Sequence, residues 1–449
     1  MYFGVPVACV AADQRPAAAV QLSPALRLVH GATEIPQHNY SLLPIAPGRL
    51  AFRESLYMPN RKAGQMPRLK SSAPRSRDQQ SRNSGKKVRY AVVALGYIAQ
   101  IAVLPAFKHA RNSELRALVS SDPKKLNELG RKYGVSNTYS YEDYASCLES
   151  GEVDAVYIAL PNVMHPEYAE RAARAGIHVL CEKPMAITEQ ECESMIEAAQ
   201  RNRVKLMIAY RLHFEEANLR AVDIVNSGKL GQPRIFNSVF SQQVKEGDIR
   251  LQKKLGGGTL YDMGIYCINA SRYLFREEPV EVSAFTGKSG DKRFREVDEA
   301  CSAVMRFPQD KLATFTSSFG AASISSYEVL GTRGTLRLDP AYEFAEPLRY
   351  ELTVNEKKQT KKFPKRDQFA PELIYFSNCV LKDKDPEPSG LEGLADVRII
   401  RALYRSAESG SPVKLESLPL RKRPAPAQEI TSPPIQKPKL VNAQSPSGS

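Results

Sequence analysis

The run Val88-Arg89-Tyr90-Ala91-Val92-Val93-Ala94-Leu95-Gly96-Tyr97-Ile98-Ala99 decides the fold. Its apolar, valine-rich opening reads as a strand, and Leu95-Gly96-Tyr97 turns that strand into a helix. The spacing is close to G-x-G-x-x-G/A, with Ala94 in the first glycine position. Gly96 lets a pyrophosphate approach the backbone closely, and the helix N-terminus adds amide donors and the positive end of a dipole. Ala99 permits tight packing of the helix on the strand. Alone the motif is weak; its place at the head of a β-α series gives it weight.

That series follows directly. Strand-like runs at Leu115–Ser120, Asn137–Tyr139, Asp154–Leu160, His178–Cys181 and Lys205–Tyr210 alternate with helical patterns. The helical patterns are Ile98–Lys108, Pro123–Tyr133, Tyr141–Glu149, Pro166–Ala175 and Glu189–Arg203. Such alternation predicts a doubly wound parallel sheet, a Rossmann domain over residues 88–212. Beyond residue 213 strands follow one another with few helices between: Arg234–Gln242, Glu281–Thr286, Ala300–Phe307, Lys311–Phe319, Ser325–Leu330, Thr335–Leu338 and Leu348–Val354. With helices at Glu215–Asn226, Gly258–Phe275, Pro371–Leu381 and Leu391–Ser409, this predicts an α+β domain over 213–419 with a largely antiparallel open sheet. The whole is an α/β protein. Residues 1–87 and the proline-rich stretch 420–449 are expected to be disordered.

At 449 residues the chain is roughly three typical domains long, and 42% hydrophobic residues suffice for a sizeable core. No apolar run reaches the roughly 18–20 residues that span a bilayer, so no membrane partner is expected. The net charge of +14 sits in the flanks, because residues 90–419 hold 44 basic and 44 acidic side chains. A folded basic surface is therefore not indicated, and no specific nucleic-acid partner is expected. The basic flanks leave open weak docking on a polyanion. The seven cysteines include no C-x-x-C pair. Neither a metal site nor a disulfide framework is expected, and a reducing cytoplasm is. Val5–Ala12 is apolar but lacks a basic n-region, so secretion is the alternative compartment.

The second strand ends at Val119-Ser120-Ser121, where an NAD site usually has an acid for the ribose hydroxyls. Two hydroxyls followed by Lys124 and Lys125 suit a 2′-phosphate better, so NADP is the expected cofactor. Asp122 could reach back to the ribose, which keeps NAD as the alternative.

Three further segments complete the pattern: Leu160-Pro161-Asn162-Val163-Met164-His165, Val179-Leu180-Cys181-Glu182-Lys183-Pro184, and Gly256-Gly257-Gly258-Thr259-Leu260-Tyr261-Asp262-Met263-Gly264-Ile265-Tyr266. Together they resemble the glucose–fructose oxidoreductase, inositol dehydrogenase and rhizopine-catabolism oxidoreductase family, from about Val88 to Pro419. The Asp262 and Tyr266 pair looks most like the glucose–fructose oxidoreductase branch, and Ala94 stands where the family has glycine. The resemblance implies a nicotinamide-dependent oxidoreductase acting on a sugar or polyol. It also implies a homo-oligomer formed through the C-terminal sheet. The candidate cofactor-binding residues are Gly96, Tyr97, Ile98, Ser120, Ser121, Lys125, Leu160, Pro161, Asn162, His165, Glu182, Lys183 and Arg211.

Hydride transfer from a carbinol needs a base for the hydroxyl proton. Asp262 and Tyr266 lie four apart on one helix and so share a face. By resemblance they converge with Lys183 on the substrate, which makes Lys183, Asp262 and Tyr266 the candidate catalytic set. Tyr266 is read as the acid/base, with the nearby ammonium of Lys183 favouring its phenolate. Asp262 would orient Lys183 or bind a substrate hydroxyl. The other assignment gives Lys183 the proton and Tyr266 the orienting role. His213 and Arg250 join the three as candidate substrate contacts. Competing functions are a dihydrodiol-type dehydrogenase and a non-catalytic NADP-binding regulator.

Overall fold

A computed structural model describes residues 85–416, 418 and 423–447. The expectations for residues 1–84, including Val5–Ala12, lie outside the described residues.

The first sheet has six parallel strands, β1 (Val88–Val93), β2 (Ser113–Val119), β3 (Asn137–Tyr139), β4 (Ala155–Ile158), β5 (His178–Glu182) and β6 (Leu206–Ala209). Their spatial order is β3-β2-β1-β4-β5-β6. Between them run α1 (a π turn Ala99–Val103 continued by Leu104–Ala106), α2 (Pro123–Tyr133), α3 (Tyr144–Glu149), α4 (His165–Arg174) and α5 (Glu189–Arg201). Alternate residues of β1 explain the two layers of helices. Tyr90 and Val92 belong to the core on the α1 and α2 side, Ala91 and Val93 to the core on the α3, α4 and α5 side. Chain order reverses between β1 and β4, and parallel strands put all their carboxyl ends at one edge. The crevice at that reversal is where such sheets bind ligands.

The second sheet contains β7 (Pro233–Ser241), β8 (Glu281–Gly287), β9 (Ala300–Arg306), β10 (Leu312–Ser318), β11 (Ile324–Gly331), β12 (Gly334–Leu338), β13 (Leu348–Val354), β14 (Lys357–Phe363) and β15 (Val413–Lys414). Its order is β14-β13-β12-β11-β7-β10-β9-β8-β15. Only the β7–β10 pair is parallel. Burial alternates along β9, so this sheet has a covered and an open face. The connecting helices are α6 (Glu216–Asn226), α7 (Ile265–Phe275, entered through a π turn Leu260–Gly264), α8 (Ala370–Leu381) and α9 (Gly390–Ser409). Helix α7 packs on β7 and α9 on β8.

Two sequence expectations need correction. The sequence pattern groups helix α8 with the second sheet, yet it covers the first. Phe369, Leu373 and Phe376 pack in the core with Tyr90, and Ser377 Oγ lies 2.8 Å from the Tyr90 hydroxyl. An apolar helical pattern reports that a helix is buried, not which sheet buries it.

The pattern also predicts a disordered C-terminal stretch, but residues 423–447 form an extended strap with defined partners. The Arg423 guanidinium donates to Glu278 and Glu392, beside the fully buried Arg272. Asp367 N donates to Ser432 O at 3.3 Å, and Ile435 packs against the core under α1. Prolines limit helix here to a single 3-10 turn at Pro426–Gln428, and the rest of the extended chain satisfies its polar groups on other elements.

Among the described residues, no helix is long and apolar enough to cross a membrane, and no cluster of three metal-ligating side chains occurs.

Candidate active site

A cleft of about 400 Å³ opens at the carboxyl edge of the parallel sheet and is walled on its far side by the second sheet. Lys183 follows the last residue of β5 and therefore sits at this edge. Its ammonium donates to the main-chain oxygen of Asp262 at 2.8 Å and to Asp262 Oδ1 at 3.2 Å. It also lies 4.7 Å from the centre of the Tyr266 ring. Arg250 Nε donates to Asp262 Oδ2 at 2.7 Å, so each oxygen of that carboxylate meets a cation.

Burial alone would push the Asp262 carboxyl up, but Arg250 and Lys183 outweigh it and hold the group well below its usual range. Burial likewise opposes the Lys183 charge, and Tyr266, Asp262 and Glu182 outweigh it, raising the ammonium pKa. Lys183 is therefore held charged. Glu182, one residue before it, is raised chiefly by burial and accepts from the Tyr157 hydroxyl at 2.8 Å.

Asp262 lies in the π turn and Tyr266 in the first turn of α7, so one helix presents both to the cleft. What places Arg250 beside them is the glycine run. A Cβ on Gly257 would stand 2.3 Å from Arg250 O, so only glycine lets the chain fold back this closely. The Tyr266 ring is flanked by Phe240 and Tyr342 at centroid distances of 5.4 and 5.8 Å. The Arg211 guanidinium lies 5.1 Å from its centre. The Tyr266 hydroxyl has no hydrogen-bond partner among the described residues.

Gly96, Tyr97, Ile98, Lys125, Leu160, Pro161, Asn162, Glu182 and Arg211 line the other arm of the same cleft. A Cβ at Gly96 would meet nothing within 4 Å, so space for a close-approaching group lies beside its backbone. With a helix N-terminus and the Lys125 ammonium on the same wall, this arm fits a dinucleotide. Asn162 Nδ2 donates to Gly256 O at 2.8 Å and ties the loop after β4 to the glycine run.

Four predicted residues are not on the cleft wall. Ser120 is buried, and its hydroxyl accepts from Asp122 N at 3.2 Å. Ser121 sits in the exposed turn before α2. His165 is fully buried, with its ring nitrogens 2.9 Å from Pro184 O and from Leu160 O. It fastens two cleft loops together and touches the cleft itself with nothing. His213 is also buried, bonded through Nε2 to Asn269 Oδ1 at 2.8 Å and stacked on Tyr210. Burial lowers the pKa of both histidines. Ser120, His165 and His213 lie near strand ends at the cleft, but their side chains turn inward, whereas Ser121 stays exposed.

The sequence reading missed Phe240, Tyr342 and Phe344, which wall the cleft. An aromatic in a strand or loop carries no motif and reads as core. It also missed Asn442 to Gln444 and Pro446 of the strap, which line the same cleft.

The fold and the sequence both have known relatives. Residues 88–210 match the oxidoreductase family with an NAD-binding Rossmann fold, and residues 218–337 match the GFO/IDH/MocA C-terminal domain. The chain is 34% identical over 337 residues to a D-xylose 1-dehydrogenase (NADP(+)) of Haloarcula marismortui, spanning 73% of this chain and 93% of that protein. It superimposes on an aldose-aldose oxidoreductase of Caulobacter crescentus complexed with glycerol, with a TM-score of 0.71 and 37% identity, covering 74% of this chain and all of that one. It also superimposes on KijD10, a 3-ketoreductase of Actinomadura kijaniata in complex with NADP and TDP-benzene. There the TM-score is 0.66 and the identity 26%, over 72% of this chain and 98% of that one.

Proposed function

The chain belongs to the GFO/IDH/MocA oxidoreductase family, and from that membership we propose that it transfers hydride between NADP and a carbinol or carbonyl of a sugar or sugar-derived compound. The observation that carries this reading is the meeting of Lys183, Asp262 and Tyr266 in the cleft that Gly96 and Lys125 also line. NADP dependence in the xylose dehydrogenase and the NADP complex of the ketoreductase support the choice of cofactor. When bound, the nicotinamide accepts or returns the hydride.

The residues of the chain handle the proton. Asp262 engages the Lys183 ammonium through two oxygens, which fixes that cation in place and leaves it a poor base. Tyr266 has an unengaged hydroxyl and two cations against its ring, so it takes the carbinol proton on oxidation and returns it on reduction. Lys183 stabilises negative charge as it forms on the phenol or substrate oxygen. Phe240 and Tyr342 exclude water from the flanks of the Tyr266 ring. Arg250 orients Asp262 and, at the cleft wall, is in place to meet a sugar hydroxyl.

The enzyme is further read as a homo-oligomer joined through the open face of the second sheet. Ile235, Phe285, Val304 and Leu312 are exposed there, and Phe285 retains 77% of its accessible surface. Its described cysteines are all buried, which suits a reducing cytoplasm.

The test is NADP reduction against aldoses, inositols and aromatic dihydrodiols, alongside Lys183→Met and Tyr266→Phe. Turnover of a sugar is expected, with kcat falling about 10³-fold in each variant while NADPH affinity stays within about threefold. A wild type that binds NADPH and turns over none of the panel would overturn the reading. Full turnover by Lys183→Met would remove the lysine from the mechanism.

A further inference from the structure

The strap reaches the nucleotide arm of the cleft and is fastened on both sides of it. Gln100, buried in the π turn of α1, donates from Nε2 to Val441 O at 2.8 Å and accepts at Oε1 from Val441 N at 2.7 Å. Its Nε2 also donates to Leu95 O at 2.9 Å, in the turn that precedes Gly96. One side chain thus clamps the strap to the helix whose N-terminus faces the cleft. On the opposite side, Lys245 N, in the loop after β7, donates to Pro446 O at 2.9 Å. The chain between these points runs along the cleft wall.

The residue after the clamp engages the turn that follows β2. Asn442 adopts φ 46°, a left-handed conformation that asparagine tolerates well. Its Nδ2 donates to Asp122 Oδ2 at 3.0 Å. The other oxygen of Asp122 accepts from the main-chain amides of Lys124 at 2.9 Å and Lys125 at 3.2 Å, as the cap of α2. Asp122 is the acid at the end of β2 that would otherwise accept ribose hydroxyls. Both of its oxygens are engaged within the protein. Lys125, by contrast, lines the cleft and makes no ion pair among the described residues.

We infer that residues 441–446 are part of the dinucleotide site, forming its outer wall, and that Asn442 is a specificity-determining residue. By holding Asp122 to the cap of α2, Asn442 leaves Lys125 to meet a 2′-phosphate and takes the acid away from a free 2′-hydroxyl. This rests on the NADP reading above.

The experiment compares the full chain, a chain ending at Leu440 and Asn442→Ala. NADPH and NADH are titrated by nucleotide fluorescence without substrate, and melting is followed without nucleotide. Truncation is expected to weaken NADPH binding about tenfold or more. Asn442→Ala, an exposed exchange that leaves the clamp intact, is expected to narrow the NADPH-to-NADH preference about fivefold. Unchanged nucleotide affinity after truncation overturns the wall, and so does tighter binding, which would mean that the strap occupies the nucleotide's place. An unchanged preference in Asn442→Ala overturns the specificity role. If the truncated chain fails to fold, Gln100→Leu in the full chain releases the clamp and is read in the same titration. The NADP reading fails separately if the full chain prefers NADH; the wall is then still read from the loss of NADH affinity on truncation.

Discussion

Ala94 adopts φ 74°, in the left-handed region, where a Cβ crowds the following carbonyl. Its amide is committed to Val119 O at 3.0 Å, so the turn out of β1 holds it there. A left-handed non-glycine residue is destabilised by about 1–2 kcal/mol, partly offset by the greater freedom that glycine has when unfolded. Ala94→Gly is therefore expected to raise the unfolding free energy by about 1 kcal/mol, as measured in urea. A loss of stability would show that the buried methyl contributes more by packing than the strain removes. The substitution of alanine for glycine was visible in the sequence; the sign of φ that makes it matter was not. The same holds for the site. Lys183, Asp262 and Tyr266 were legible because each lies in a compact local motif. Ser120 and His165 lay in equally suggestive positions, but hydrogen bonds to Asp122 N and to two loop carbonyls turned them inward.

Among elements, the second sheet carries the clearest consequence. Leu312 pairs with Ile235 on β7, and Val304 pairs with Thr314 one step along on β9, so these apolar side chains form a continuous patch on the open face. Burying two ammonium groups in an apolar interface without partners is strongly unfavourable. Val304→Lys combined with Leu312→Lys is therefore expected to dissociate the proposed oligomer, read by light scattering at micromolar concentration. Neither residue touches the cleft, so the cofactor site should remain intact. A wild type that is already monomeric would remove the interface. Alternation along β9 and β10 was readable, and with it the existence of an open face. Strand order was not, because pairing β7 with both β10 and β11 joins segments about 80 to 100 residues apart, and local pattern does not record partner choice.

Across the whole molecule, a buried cluster joins α7, α9 and the strap. Arg272 and Arg423 face Glu278, Glu392 and Asp396, so the carboxylates outnumber the cations. Burial, together with Glu392, pushes Asp396 up to about 7 against the pull of Arg272. The folded group thus binds its proton more tightly than an ordinary Asp at 3.8. Its stabilising contribution is fully present below that ordinary value and is lost as pH rises through about 7. Urea unfolding is expected to show this contribution declining between about pH 4 and about pH 7 and levelling off above it, by at most about 1.4 kcal/mol per pH unit for one proton. Asp396→Asn should flatten that decline; equal slopes in the two proteins would place the proton elsewhere.

Periodicity by itself determined that a parallel, doubly wound sheet precedes a mostly antiparallel one. Local motifs, read through the family resemblance, marked Lys183, Asp262 and Tyr266 as the candidate catalytic set, since each motif is written within a few turns of chain. Only the tertiary structure decided that α8 covers the first sheet and that Arg250 pairs with Asp262. It alone placed the strap along the nucleotide arm, joining Val441 to Gln100 across more than three hundred residues. Such contacts depend on which distant surfaces meet and which buried polar groups still need partners, and no local pattern carries that information.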